Sequence, residues 1–341
     1  MKAVEANSPL TILFVTSMHP STAFPLRGVI VLRLVDALQR IGHRVELLEL
    51  GAGGGPRRYL VARKKVAERL QRAKPHIVHA VFGYSGLAVP RSPIPLVTTF
   101  NGDDLNGTVG PSGRITVRSW LGTLVSQWIA YRSVRCIAVS EQLRARLWLP
   151  GVRSKTVVIR DAVNTELFRP MARHLARERL GLSQDEVLVI FPHDATQPTK
   201  RIGLAEAAVA HLRRRRPRAR LWIVNNRSPD EMPLYYGAAD VMIVTSLCEG
   251  GPSSVKEALA CGIPVVSVPV GDTALFEEVP RAVFRADASP EALSAALDDA
   301  VSQGATYDRQ SFLPTELRLD RTAEAITALY REVLEDRAGR G

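Results

Sequence analysis

Cysteine is scarce and scattered in this chain. Cys136, Cys248 and Cys261 are odd in number and far apart. That excludes a disulfide framework and zinc-ligand spacing, and it fits a reducing cytoplasm. No uncharged apolar run reaches the roughly 20 residues that span a bilayer. The short run Leu10–Val15 has no small-residue cleavage signal behind it and reads as a buried first strand. Aromatic residues make up only 6% of the chain and do not interleave with basic ones in a known nucleic-acid module, so no nucleic-acid partner is expected. No zinc or iron ligand spacing is present, and no Ser-His-Asp arrangement can be argued; His43, His76, His79, His174 and His211 read as structural or surface residues. Acids are in deficit, 34 against 45 bases, leaving a net charge of +11. Such an excess favours anionic partners, but charge alone does not choose among nucleic acid, acidic lipid and nucleotide diphosphates.

With 341 residues and 46% hydrophobic content, the chain is long and apolar enough for two domains with real cores. Short β-branched runs alternate with longer helical patterns. The runs Leu10–Thr16, His43–Leu50, Ile77–Ala80, Leu96–Phe100, Cys136–Ser140 and Thr156–Ile159 read as strands of a first half. Val187–Phe191, Leu221–Val224, Val241–Thr245, Val265–Val268 and Ala282–Phe284 read as strands of a second, with helices between. This rhythm predicts parallel, doubly wound sheets. Asn164–Pro170 reads as the linker. Between Arg57 and Lys74, Tyr59, Ala62, Val66, Leu70 and Ala73 recur at helical spacing among seven basic residues from Arg57 to Arg72. The spacing predicts an amphipathic helix with a basic face, suited either to solvent or to an anionic membrane. The run Arg213–Arg216 reads as a solvated helix end.

The segment Ser246–Glu257 carries the most chemistry. Glu249 and Glu257 are eight positions apart and enclose Gly250, Gly251, Pro252, Ser253 and Ser254. An apolar strand precedes them and an Ala-rich helix follows. The first amides of a helix lack internal partners and carry partial positive charge, which suits a phosphate. A carboxylate on each side can bind hydroxyls, so the turn fits a sugar joined to a phosphate. An ordinary βα connector with a capping and a solvated Glu remains the plainer alternative.

The stretch from Asp240 to Gly271 resembles the nucleotide-sugar site of glycosyltransferase family 4, whose motif is Glu, seven residues, Glu. The resemblance covers most of the chain, with its sharp motifs in the second half. It implies the GT-B fold: two Rossmann-like, doubly wound parallel-sheet domains facing a cleft, with a C-terminal helix crossing back. The expected bounds are 1–165 for an acceptor domain, 166–315 for a donor domain and 316–341 for the returning helix. By that analogy Glu249 binds hexose hydroxyls and Glu257 the ribose, while the amides around Gly251 to Ser254 hold sugar and diphosphate, with Gly250 also counted in the nucleotide-sugar site. Lys200 and Arg201, in Pro198–Gly203, match the family's basic pair against the diphosphate, where two cations and a helix end stabilise the leaving group without a metal. The family's usual preceding arginine is not obvious; His193 and Asp194 stand there. Gly28 matches a glycine that lets backbone approach phosphate, and His19, Thr22 and Arg27 are candidate acceptor contacts. Asn101 stands where the family often has histidine, with Gly102 and Asp104 compatible with the pattern. An Asn cannot act as a base, but its amide can bond a sugar hydroxyl. Gly271 and Asp272 are placed to touch the donor sugar, and Asp161–Asn164 to form the hinge.

The resemblance thus implies a retaining hexosyltransferase with no cofactor; the expected location is the cytoplasm, with the basic first half suiting the inner face of the cell membrane. Its donor would be a UDP-, GDP- or ADP-sugar and its acceptor a saccharide or lipid-linked hydroxyl. A sugar-nucleotide 2-epimerase shares the architecture and is the alternative enzyme. A basic nucleic-acid-binding protein is the alternative of another class.

Overall fold

A computed structural model describes residues 8–18, 28–51, 57–107, 116–304 and 309–339. The chain divides into two compact units, one of residues 1–161 and 319–341 and the other of residues 162–318.

The first unit is built on six parallel strands, β1 (Thr11–Thr16), β2 (Arg44–Glu49), β3 (Ile77–Val81), β4 (Leu96–Phe100), β5 (Arg135–Ala138) and β6 (Thr156–Val158). Their order in the sheet is β2-β1-β3-β4-β5-β6. Every residue of β3 and β4 is buried, as expected of strands covered on both faces. Helices α1 (Val29–Arg40), α2 (Arg57–Ala73), α3 (Asp103–Asn106), α4 (Val117–Arg132) and α5 (Glu141–Ala145) flank them.

Helix α2 is amphipathic, as its spacing predicts. Its apolar stripe of Tyr59, Ala62, Val66 and Leu70 is buried in a core shared with Leu13 and Val15 of β1. A stripe already covered by protein cannot also enter lipid. Only the basic face, with Leu60 and Val61 beside it, is turned outward.

The second unit carries five parallel strands, β7 (Val187–Phe191), β8 (Ala219–Ile223), β9 (Val241–Val244), β10 (Val265–Ser267) and β11 (Val283–Arg285). Their order is β11-β10-β9-β7-β8. Helices α6 (Arg173–Leu180), α7 (Ile202–Leu212), α8 (Met232–Ala238), α9 (Ser253–Ala260) and α10 (Pro290–Gly304) surround this sheet. Arg177 is the largest fully buried side chain. It donates to the carbonyls of Ala238, Ser183, Gln184 and Glu186 and pairs with Asp240 at 2.6 Å, so its charge and donors are satisfied inside the core. The arginine run is spent locally: Arg215 and Arg216 both pair with Asp298.

The stretch Asn164–Pro170 is packed rather than loose. Phe168 is buried in the second core, and Asn164 Oδ1 accepts the amides of Glu166 and Leu167. Where the chain enters and leaves this unit, Val163 and Arg318 form a parallel bridge. The last helix, α11 (Leu319–Ala338), belongs to the first unit. Its Ala323, Ile326, Leu329, Tyr330, Val333 and Leu334 share a core with Ile12 and Phe14, and each large apolar side chain so buried stabilises by roughly 1.5–3 kcal/mol. Tyr330 also hydrogen-bonds His79 Nδ1, while His79 Nε2 meets Thr99 Oγ1 at 2.7 Å. Burial drives His79 down to about 3, so this histidine is a neutral structural bridge.

Candidate functional site

The turn between β9 and α9 is fastened to the loop before α7. Thr245 Oγ1 donates to Lys200 O at 2.7 Å, and the amide of Leu247 donates to Thr199 O at 2.8 Å. Two segments some 45 residues apart in sequence are thereby brought side by side. Pro252 ends the turn with an extended ψ of 101° and α9 begins at Ser253. Proline cannot donate, and its fixed φ suits a helix start. The Pro252 carbonyl takes the amide of Val255 at 3.1 Å. The amides of Ser253 and Ser254 precede the helix's own ladder and point from its positive end.

Lys200 Nζ lies 2.6 Å from Glu249 Oε1, with side chains only 17% and 14% exposed. At that burial the pair is more than a solvated surface contact, whose worth is about 0–1 kcal/mol. A cation and a carboxylate are therefore held together next to a helix N-terminus. Arg201 behaves differently. Its backbone is left-handed, φ 50°, and its Nε and Nη2 donate to the carbonyls of Thr245 and Ser246. Two of its three nitrogens thus clamp the end of β9. Of the expected basic pair, Lys200 meets Glu249, while Arg201 donates to the carbonyls at the end of β9.

Glu257 sits on α9 and accepts from Tyr236 Oη at 3.5 Å. Burial, and then the Glu257 charge, hold the Tyr236 hydroxyl well above its ordinary pKa, so it stays a donor. Gly250, Gly251, Ser253 and Ser254 are half-buried along the turn and helix start. Gly271 has φ +55°, and a Cβ there would stand 2.8 Å from Pro252 Cδ and 3.3 Å from Glu249 Cβ. Glycine is needed at that crossing by both its backbone and its neighbours.

Two features were not read from the sequence. Lys256 and Asp272 form a buried ion pair at 3.0 Å, 0% and 2% exposed. It ties the first turn of α9 to the loop after β10. The signal was available: Lys256 stands among buried helix positions, where an unpaired lysine is costly. The second is His193, after β7, whose ring meets Phe191 edge-on at 5.3 Å. Its Nε2 is sealed from solvent without a hydrogen-bond partner among the described residues. Burial and then the nearby Lys200 charge push it down to about 3, so it is a neutral imidazole at the back of the Lys200 loop.

In the first unit the turn after β4 is built around Asp104. This carboxylate is fully buried and accepts the amides of Gly83 and Gly102, both at 2.9 Å. Burial raises it to about 6, against the lowering effect of the Gly83, Gly102 and Asn101 amides. Asp104 is consumed by the backbone, which corrects its assignment as an acceptor contact. Gly102 is the residue whose φ of 154° starts α3. Beside them, Asn101 Oδ1 is buried and has no hydrogen-bond partner among the described residues. Gly28, φ 77°, opens α1 and accepts the amides of Val31 and Leu32. His19, Thr22 and Arg27 lie outside the described residues. Among the described residues no three His, Cys, Asp or Glu side chains are grouped to hold a metal ion, and no helix is long and apolar enough to cross a membrane.

Two family models match the chain: Glycosyltransferase Family 4 over residues 28–167 and Glycosyl transferases group 1 over residues 214–311. A D-inositol 3-phosphate glycosyltransferase of Kineococcus radiotolerans is 29% identical over 233 residues, 54% of this chain and 53% of that one. The chain therefore spans about half the length of that relative. Sucrose-phosphate synthase from Thermosynechococcus elongatus superposes with a TM-score of 0.78 at 18% identity, covering 96% of this chain and all of that one (100%). The Anabaena protein HepE, in complex with UDP and glucose, superposes with a TM-score of 0.65 at 16% identity, covering 98% and 99%. The fold is shared with both.

Proposed function

This chain belongs to glycosyltransferase family 4, and from that premise we propose that it moves a hexose, with retention of configuration, from a nucleotide-diphosphate sugar to a hydroxyl of a saccharide or lipid-linked acceptor. The observation that carries this reading is the Lys200–Glu249 pair set beside the first amides of α9. A bound donor places its diphosphate against Lys200 and the Ser253 and Ser254 amides. Lys200 then exchanges one carboxylate for phosphate oxygens, and Glu249 is released to accept hexose hydroxyls. Glu257, further along the same helix, takes the ribose hydroxyls.

In the transfer, the acceptor oxygen bonds to the anomeric carbon as the bond from that carbon to the diphosphate breaks. The acceptor proton leaves with the departing phosphate oxygen. Negative charge grows on the diphosphate, and preset donors that need no reorganisation stabilise it. In the first unit, the buried carbonyl oxygen of Asn101 is available to accept from a sugar hydroxyl.

A thermal-shift screen over UDP-, GDP- and ADP-sugars tests the donor half. Stabilisation by one series and not by free hexose is expected; no shift with any of them sinks the reading. Product NMR from the best donor, with an acceptor panel of saccharides, lipid-linked saccharides and phosphorylated polyols, tests the rest. A retained anomeric linkage is expected. An epimerised donor formed without any acceptor would assign the 2-epimerase reaction instead.

A further inference from the structure

Three of the four tryptophans in the chain are turned to solvent in the first unit: Trp120 at 55%, Trp128 at 46% and Trp148 at 60% exposure. Leu121 and Tyr131 are exposed with them. Trp120, Trp128 and Tyr131 are spaced by eight and three positions on α4, which places them on one stripe. The other side of the helix is seated in protein. A Cβ on Gly86 would overlap Ile129, one on Gly83 would overlap Ser126, and one on Gly122 would overlap Tyr84. The helix is thus fixed with its aromatic stripe outward. Gln127, buried beside the stripe, fastens the next loop: its Oε1 accepts the Trp148 amide at 3.2 Å and its Nε2 donates to Arg146 O at 2.8 Å. Trp148 is pinned beside α4 one helix position from Trp128.

Cations border these rings. The Arg132 guanidinium lies 5.0 Å from the Trp128 ring centre, and Lys155 Nζ lies 5.7 Å from that of Tyr131. Arg63 of α2 and Arg91 are exposed. Partial burial, and then the like charges of Arg63 and Arg91, lower the Arg132 pKa, which places all three in one positive cluster. On α2, Leu60 and Val61 flank Arg63 and are also exposed. Rings and aliphatic groups set among arginine and lysine match the boundary of a bilayer. There the rings enter the headgroup layer and the cations meet lipid phosphates. Bulk solvent offers the rings nothing comparable, since apolar surface is favoured on leaving water.

We propose that this face of the first unit, the outer stripe of α4 with Trp148 and the surrounding arginines and lysine, docks the protein on a bilayer rich in anionic lipid. The contact is peripheral and reversible, with the rings at headgroup depth. It rests on the proposed lipid-linked acceptor, to which it gives a membrane to be presented from, and it shares no residue with the donor turn.

The full chain, mixed with phosphatidylcholine vesicles with and without about one third phosphatidylglycerol, tests this. Co-sedimentation is expected only with the anionic vesicles, with a blue shift of tryptophan emission and quenching by brominated lipid. The triple variant Trp120→Ser, Trp128→Ser, Trp148→Ser is expected to lose at least about tenfold in partitioning. The pair Arg63→Glu, Arg91→Glu is expected to lose as much. Both variants should keep the nucleotide-sugar thermal shift of the parent, which separates loss of docking from loss of fold or of the donor site. If the triple variant does not fold, quenching of the parent chain decides. The proposal is overturned if anionic vesicles do not sediment the protein at low salt, or if they do so without lipid quenching. It is equally overturned if the variants bind as the parent does, or if sedimentation equilibrium finds a dimer that the triple variant abolishes.

Discussion

Two βα turns, one in each unit, solve the same problem by opposite means. The turn after β4 places a glycine and a buried acid behind Asn101, and backbone amides neutralise that acid. The turn after β9 places a glycine pair and a proline behind Glu249, and a side-chain cation, Lys200, holds it, while Lys256 pairs with Asp272. Amides cannot leave their carboxylate without unfolding the turn. A lysine ammonium on a flexible stem can turn from a carboxylate to a phosphate. The first turn is therefore a fixed shelf, and the second can change partners when a ligand arrives. Within the second turn the two ion pairs also differ: Lys256–Asp272 is sealed and Lys200–Glu249 opens to solvent at its edge.

The sharpest break in this comparison comes from the sealed pair. Lys256→Met takes the ammonium from the buried Asp272 carboxylate, and a loss of about 3–5 kcal/mol in chemical denaturation of the second unit is expected. Adding Asp272→Asn should recover part of it. Next in size, Lys200→Ala should leave the fold intact and lower kcat about 10²–10³-fold with little change in KM, read in steady-state assays. Equal losses of stability in the two lysine variants would erase the distinction between scaffold and exchangeable pair.

The shelf is tested through pH. Asp104 holds its proton more tightly folded than unfolded, raised from 3.8 to about 6. Its contribution to stability is therefore greatest at low pH and falls as pH rises through about 6, then levels off. Asp104→Asn should remove that slope in urea melts taken across this range and cost about 1–3 kcal/mol through one mismatched amide. The smallest effect is expected from Glu257→Ala. It should weaken nucleotide binding about tenfold in calorimetry while kcat changes little, because one hydroxyl-binding carboxylate is lost.

Much of the architecture was legible in the chain. The run Leu96–Phe100 forms β4 with those same bounds, and Leu10–Thr16 and His43–Leu50 differ from β1 and β2 by a residue at one or both ends. Buried parallel strands announce themselves as β-branched runs. The position of the motif between β9 and α9 was legible for the same reason, and resemblance supplied Lys200 as its partner. The division of labour between Lys200 and Arg201 was not. They are adjacent in sequence, and only the left-handed backbone at Arg201 turns one towards Glu249 and the other onto carbonyls. Asp104 looked like a contact residue because a carboxylate after a glycine offers no hint that Gly83, 21 positions back, will occupy it. The aromatic face of α4 was hidden for another reason. The helix has apolar residues on every side, so periodicity could not say which side would meet the core.

From residue order alone follow the two α/β halves, the acid–glycine–proline–acid turn and the positive balance of the chain. These rest on local period and on composition, which need no partner to be read. The pairing of Lys256 with Asp272, the neutral state of His193 and the outward set of three indoles were settled by folding. Each depends on what a side chain meets at long range and on how much water is left around it, and neither quantity exists until the sheets and helices have packed.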